Sequence, residues 1–208
     1  MKGRTYIVVS EKAQAIKDAA EKALLDQTMR DQLCQDLSGS SRRDRQHAAA
    51  VLAQVAKTDP ELVVPYLDEF VDALNRPEAQ TRWESLDVLT SLVPLESRSC
   101  DKALAGAETA LFDEDNGMVR LAALRFLCKL GSTTENRSLK TWPLLDEAIQ
   151  CYHGDFEYQD MLIALIGYSE GKLAPEVKQG LKDRVSFDAE NSKGSLQRRS
   201  AQIVENLK

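Results

Sequence analysis

Apolar and polar residues along the chain recur with the spacing of amphipathic helices. In the segment ELVVPYLDEFVDALN (61–75), Leu67, Phe70 and Leu74 fall at positions i, i+3 and i+7. That spacing puts the apolar residues on one face of an α-helix and the acids between them on the faces that meet water. The pattern therefore predicts a helix whose apolar face needs another element to cover it.

A short motif, Arg-x-x-small followed by an apolar pair, recurs along the chain. It starts at Arg45 in RQHAAAVLAQV, at Arg82 in RWESLDVLTSL and at Arg120 in RLAALRFLCKL. Degraded copies start at Asp160 and Arg198, so the successive offsets are 37, 38, 40 and 38 residues. A period this steady is close to that of solenoids built from two-helix units.

A second helical half follows each copy of the motif. The segments 61–75 and 138–152 share the string Pro-x-Leu-Asp-Glu, and their prolines, Pro65 and Pro143, lie 78 residues apart, which is two periods. Segments 99–112 and 174–187 are looser versions. The predicted organisation is an N-terminal helical cap over 1–40, helix pairs over 41–77, 78–116, 117–155 and 156–194, and a closing half-repeat over 195–208. The cap reads as one amphipathic helix or as a broken pair.

The recurring arginine stands at the start of a helix, where the helix dipole disfavours a positive charge. We expect Arg45, Arg82 and Arg120 each to reach an acidic cap in the neighbouring unit and so to form a ladder along the stack. A solvated arginine that merely recurs is the alternative, because exposed ion pairs contribute little stability.

The order of an acid or Asn, Val-Arg, two small residues, a loop and Pro-x-Leu resembles the HEAT-repeat (armadillo-like) family. The clearest copy is DEDNGMVRLAALRFLCKL, and the resemblance covers residues 41–208. It implies an all-α fold, a right-handed α-α superhelix of HEAT-like helix pairs, with second helices lining a concave face that binds another macromolecule. One departure is Asp160, which stands where the pattern has Arg.

The composition is typical of a helical protein and disfavours some classes of binding partner. Aromatic residues make up 6% of the chain, and the net charge of −6 disfavours phosphate backbones and anionic lipids. The N-terminal apolar run at 6–9 is too short for a signal peptide, and no stretch is long enough to span a membrane. Four scattered cysteines predict reduced thiols in a cytoplasmic protein: Cys34, Cys100, Cys128 and Cys151. We expect a monomer.

Residues for catalysis are sparse. His47 and His153 fall in different repeats, and the chain has no Gly-rich phosphate loop and no nucleophile elbow. We therefore expect no enzyme activity, no cofactor and no metal site.

One segment offers an alternative. RWESLDVL (82–89) is similar to the Trp-x-x-x-Asp stretch of the DNA-alkylation-repair glycosylases, which are also built on HEAT-like repeats. The resemblance implies that Asp87 would stabilise the cationic sugar and that Trp83 would pack on the nucleotide. In the plainer interpretation Trp83 is a partly buried aromatic residue and Asp87 faces solvent, and the acidic net charge favours this interpretation.

The function that we expect is a non-enzymatic scaffold that binds a protein or peptide on its concave face. Acids on the second helices would make that face attractive to a basic helix or tail. The aromatic candidates equally suit packing between repeats. The predicted partner-binding residues are Tyr66, Glu69, Asp72, Trp142, Asp146 and Glu147.

Overall fold

The computed structural model describes residues 2–208, with side chains from residue 11 onward, so the side chains of the apolar run at 6–9 lie outside the described part. The helices are α1 (Lys2–Leu25), α2 (Gln27–Ser38), α3 (Arg42–Thr58), α4 (Leu67–Ala73), α5 (Ala79–Cys100), α6 (Leu104–Leu111), α7 (Gly117–Gly131), α8 (Glu135–Cys151), α9 (Tyr158–Ser169), α10 (Pro175–Asn191) and α11 (Gly194–Asn206). Short 3₁₀ segments, Pro60–Tyr66 and Asp101–Ala103, precede α4 and α6. Residues 2–208 contain no strand, and the all-α prediction is confirmed.

The chain forms two compact units, residues 1–99 and 100–208. Their boundary falls inside the predicted repeat 78–116. The predicted repeat limits remain a prediction, although the helix bounds are compatible with a pairwise arrangement.

The N-terminal region of the first unit is a pair of helices that breaks at Asp26. The Asp26 side chain accepts a hydrogen bond from the Met29 amide at 3.2 Å, which caps α2. The buried Arg30 side chain donates to the Ala23 carbonyl at 2.6 Å and so satisfies the end of α1. Because α1 contacts α3 and α2 contacts α4, the pair stacks as the repeats do.

The second half of the first full repeat is not one continuous helix. Asp59 caps a 3₁₀ segment whose first residue is Pro60, and Pro65 lies inside that segment. Pro65 lacks an amide hydrogen and obstructs the turn before it, and the α-helix begins only after it, at Leu67. Pro143 occupies the corresponding place in α8, and that helix is unbroken, so the proline alone does not account for the break.

Helix α5 has a kink near its C-terminal end. Glu96 has non-helical angles, φ −132° and ψ 43°, two residues after Pro94. A proline within a helix removes a backbone hydrogen bond and clashes with the turn before it, whereas Glu96 lies after Pro94, so the proline alone does not account for the angles at Glu96.

The second unit consists of two helical layers. Helices α7, α9 and α11 contact one another in succession, as do α8 and α10, and α7 also contacts α6 and α8. Val119, Leu124, Phe126 and Leu127 of α7 are fully buried, as expected for the layer between helices. Stacked layers of first and second helices are the architecture of an α-solenoid.

Candidate functional site

Two of the three arginines of the predicted ladder, Arg45 and Arg120, bind an acid at the start of the next helix pair, one in each unit. Arg45 binds Glu78, the residue before α5, through two hydrogen bonds, including one from Nε to Oε2 at 3.2 Å. Its Nη1 also donates to the Gly39 carbonyl at 2.8 Å. Both side chains of the pair are buried, and the hydrogen bonds from Arg45 hold the pKa of Glu78 below its ordinary value.

Arg120 repeats the arrangement in the second unit. Its Nε donates to Glu157 at 2.7 Å, and its Nη1 donates to the Asp113 carbonyl at 2.9 Å. Its guanidinium lies over the Tyr152 ring, 4.9 Å from the centroid. Arg45 and Arg120 therefore join consecutive helix pairs, and their charges are already neutralised.

A second ladder joins the second helices, and sequence reasoning missed it. Arg137 donates to Asp101 at 2.8 and 2.9 Å. Arg184 donates to Asp146 at 2.7 and 3.0 Å. The sequence feature that could have predicted this ladder is an acid and an arginine 36 or 38 residues apart, in the second halves of consecutive repeats.

Three of the expected partner-binding residues lie at the second-helix surface of the first unit. Tyr66 and Glu69 line a cleft of about 420 Å³ together with Asp31 of α2. The Tyr66 hydroxyl donates a hydrogen bond to the Asp31 carboxylate. Asp72 lies one turn beyond Glu69 and is exposed. The contribution of Asp31 was not foreseen, because the α1–α2 pair lacks the repeat motif.

The electrostatic potential in the cleft is negative. Burial raises the pKa of the Cys34 thiol to about 12, and the charges of Glu69 and Asp31 add to the shift. The pKa of Tyr66 is raised to about 12, first by burial and second by its hydrogen bond to Asp31. The carboxylates that disfavour a thiolate or phenolate here would favour a bound cation. Cys34 is protonated at neutral pH and is not a nucleophile.

The expected residues of the second unit are partly engaged in the fold. Trp142 packs against α10, where a Cβ on Gly180 would lie 2.9 Å from the indole. Asp146 is paired with Arg184, as described above, whereas Glu147 is exposed. Trp142 and Asp146 therefore have structural roles, and Glu147 is the most accessible of the three.

The Trp83 and Asp87 side chains lie one turn apart on α5, and both are half-buried. Glu84 lies between them in sequence. Burial raises the pKa of Glu84, and the charge of Asp87 raises it further. Two carboxylates beside Trp83 make this surface unfavourable for a phosphate backbone.

Groups suited to catalysis or metal binding are not clustered in the described part of the chain. The two histidines belong to different units, and His153 Nε2 lies 2.9 Å from Asp188 of α10. Among the described residues, no group of three or more His, Cys, Asp or Glu side chains is placed to hold a metal. All four cysteines are free thiols, and only Cys151 is exposed.

None of the described helices combines the length and apolar character that a membrane span requires.

Several solved structures with similar folds are repeat proteins. A designed armadillo repeat protein in complex with the peptide (KR)4 gives a TM-score of 0.73 at 14% identity, over 94% of this chain and 92% of the other. Computationally designed armadillo repeat proteins for modular peptide recognition give 0.68 at 14% identity, over 95% and 93%. An archaeal HEAT-like repeats protein from Thermococcus onnurineus NA1 gives 0.60 at 18% identity, over 92% and 75%.

No protein-family model matches the sequence, and no curated protein matches it. The structural likenesses nonetheless cover nearly the whole chain, so its fold is that of the HEAT and armadillo-like α-solenoids. The resemblance inferred from the sequence is confirmed at the level of the fold.

Proposed function

We propose that this protein is a non-enzymatic repeat scaffold that binds a basic peptide, or a basic segment of a protein partner, on its second-helix surface. The observation that carries the proposal is the acidic cleft lined by Asp31, Tyr66 and Glu69. The fold supports it as well, since one similar structure is a designed armadillo protein bound to the peptide (KR)4.

The chemistry of the cleft suits lysine or arginine. An ammonium or guanidinium group entering between α2 and α4 would find two carboxylates, Asp31 and Glu69, already fixed on helices. The half-buried Tyr66 ring offers an aromatic surface beside them. Asp72, one turn further along α4, would receive the next basic side chain of an extended peptide.

In the second unit we propose that Glu147 contacts the peptide. Trp142 and Asp146 would contact it through the parts of their side chains that remain accessible. We further propose that the scaffold acts as a cytoplasmic monomer. Three buried free thiols suit a reducing compartment.

The test is a titration of the full chain with a fluorescein-labelled (Lys-Arg)4 peptide, followed by anisotropy. We expect saturable binding that weakens with salt, because exposed charges are screened. The double variant Glu69→Gln/Asp72→Asn should weaken binding by about tenfold or more, as expected for the loss of two charge-assisted contacts.

The control variant is Glu21→Gln/Glu61→Gln, which removes two exposed acids of the same unit outside the cleft. It should bind the peptide like the wild type. Equal weakening in both double variants would mean that net charge alone attracts the peptide, and the proposed site would be wrong.

The alternative is a DNA-binding relative of the alkylation-repair glycosylases that uses Trp83 and Asp87. Its basis is weaker, because Glu84 and Asp87 place two acids where a phosphate backbone would approach.

A further inference from the structure

Two large apolar side chains stand exposed at the starts of consecutive first helices in the second unit. Met118, in the first turn of α7, is 52% exposed, and Phe156, just before α9, is 105% exposed. Together with Leu121 they line a cleft of about 460 Å³. Phe156 contributes almost nothing to the core, so the fold does not account for an aromatic residue there. Exposed apolar side chains grouped around a cleft are typical of an interaction site.

The remaining lining of the cleft includes three acids, Asp115, Glu157 and Asp160. Glu157 is neutralised by Arg120, whereas Asp115 and Asp160 are exposed. Asp160 is the position at which the repeat pattern would have placed an arginine. That departure gives the rim a negative charge in place of a positive one.

The starts of α7 and α9, which carry this cleft, are held in place before any ligand arrives. Asn116 accepts hydrogen bonds from the Met118 and Val119 amides at 3.1 and 3.2 Å, which holds the start of α7. The Arg120–Glu157 pair ties that turn to the start of α9. Gly117 permits the approach, since a Cβ there would lie 2.9 Å from the Glu157 carboxylate. A preorganised site avoids the ordering cost of binding.

We propose that this cleft docks a short segment of a protein partner that carries one large apolar side chain flanked by lysine or arginine. The apolar side chain would cover Met118 and Phe156 and remove their surface from water, with the buried Leu121 beneath them. The flanking cations would meet Asp115 and Asp160.

Charge decides against a second copy of this chain as the occupant. Each copy carries a net charge of −6 and would bring its own acids to the acidic rim. The site shares no residue with the Tyr66 cleft, and it differs in requiring an apolar anchor. The inference is therefore independent of the proposed function.

The probe is a labelled peptide, Lys-Lys-Arg-Phe-Arg-Lys-Lys, titrated into the full chain and followed by anisotropy. Replacing its central Phe with Ala should weaken binding about tenfold, the effect of losing one buried large apolar side chain. On the protein, Phe156→Ser should have a similar effect. Because Phe156 is fully exposed, the variant is expected to fold normally. Its matched control is Phe187→Ser on α10, where the side chain is 73% exposed outside the cleft.

The charges are tested with Asp115→Asn/Asp160→Asn, which should weaken binding and flatten its salt dependence. The control Asp183→Asn/Glu190→Gln removes two exposed acids of α10 and should change neither. The Glu69→Gln/Asp72→Asn variant should retain phenylalanine-dependent binding, so this inference and the proposed function fail separately.

Unchanged binding by Phe156→Ser, or equal weakening by Phe187→Ser, would overturn the inference. So would sedimentation velocity that shows the wild-type chain dimerising through Phe156 while the peptide does not bind.

Discussion

Gly131, the last residue of α7, lies against side chains of two neighbouring helices, Thr141 of α8 and Tyr168 of α9. A Cβ at this position would overlap Thr141 Oγ1 and lie 2.9 Å from the Tyr168 ring, and both neighbours are buried. Overpacking of this kind costs about 1–3 kcal/mol. We expect Gly131→Ala to lower the free energy of unfolding by that amount, measured by urea denaturation with an unchanged m-value.

The matched control is Gly167→Ala in α9. A Cβ at Gly167 would meet nothing within 4 Å. Alanine is favoured over glycine inside a helix by about 0.5–1 kcal/mol, so this substitution should stabilise the protein. The two changes are chemically identical and should have opposite signs. A stabilising Gly131→Ala would show that α7 does not approach Thr141 this closely.

The sequence predicted individual core residues well and contacts across the repeat less well. Val119 and Phe126 could be assigned to the core from helical spacing, because burial follows from the periodicity of one helix. The bond from Tyr66 to Asp31 could not be predicted, because its partner lies 35 residues away in a pair without the repeat motif. Trp142 remained ambiguous, since an aromatic side chain suits both a binding surface and the space above Gly180.

Consecutive helix pairs are joined by a buried ion pair, and that junction gives the fold a pH dependence. The pKa of Glu78 is held below its ordinary value of 4.5 by Arg45, so the stabilisation is complete above that value. It is lost as the pH falls through the lower pKa of the folded state. We expect Glu78→Gln to lower the urea midpoint at neutral pH, and the difference from wild type should narrow as the pH falls below 4.5.

The comparison for that variant is Asp146→Asn, which breaks the exposed pair with Arg184. Both side chains of this pair are accessible, at 27% and 36%, so the loss should be at most about 1 kcal/mol and smaller than that of Glu78→Gln. If the two variants lose equal free energy of unfolding, Glu78 is not the acid that joins the helix pairs. The same follows if the difference in urea midpoint between Glu78→Gln and wild type does not narrow at acidic pH.

The existence of paired helices was predictable because apolar periodicity and the Arg motif repeat together, whereas interruptions were not. Prolines lie beside the 3₁₀ segment before α4 and beside the kink at Glu96, but Pro143 lies inside an unbroken helix, so a proline in the sequence does not by itself predict a break. The ladder formed by Arg137 and Arg184 depends on residues one full period away. Its charge pattern is visible in the sequence only once the repeat is aligned.

At the scale of the whole molecule, net charge separates the two candidate functions. The chain carries 33 acids against 27 basic residues, and its ladder arginines Arg45 and Arg120 are already bound to acids, so its net charge of −6 repels duplex DNA. We expect no appreciable binding of duplex DNA at about 200 mM salt and only a shallow salt dependence between about 50 and 200 mM, measured by anisotropy with a labelled duplex. The (Lys-Arg)4 peptide should bind under the same conditions.

Asp87 provides the decisive variant for the same measurement. If the chain is a glycosylase, Asp87→Asn should abolish base excision from an alkylated duplex. If it is a peptide-binding scaffold, neither the wild type nor the Asp87→Asn variant should excise a base, and the two should bind the peptide with equal affinity. A steep salt slope for wild-type DNA binding, together with base release that depends on Asp87, would establish the DNA reader. In that case Glu84 and Asp87 would together stabilise the cationic sugar, because two neighbouring carboxylates favour a positive charge that develops beside them.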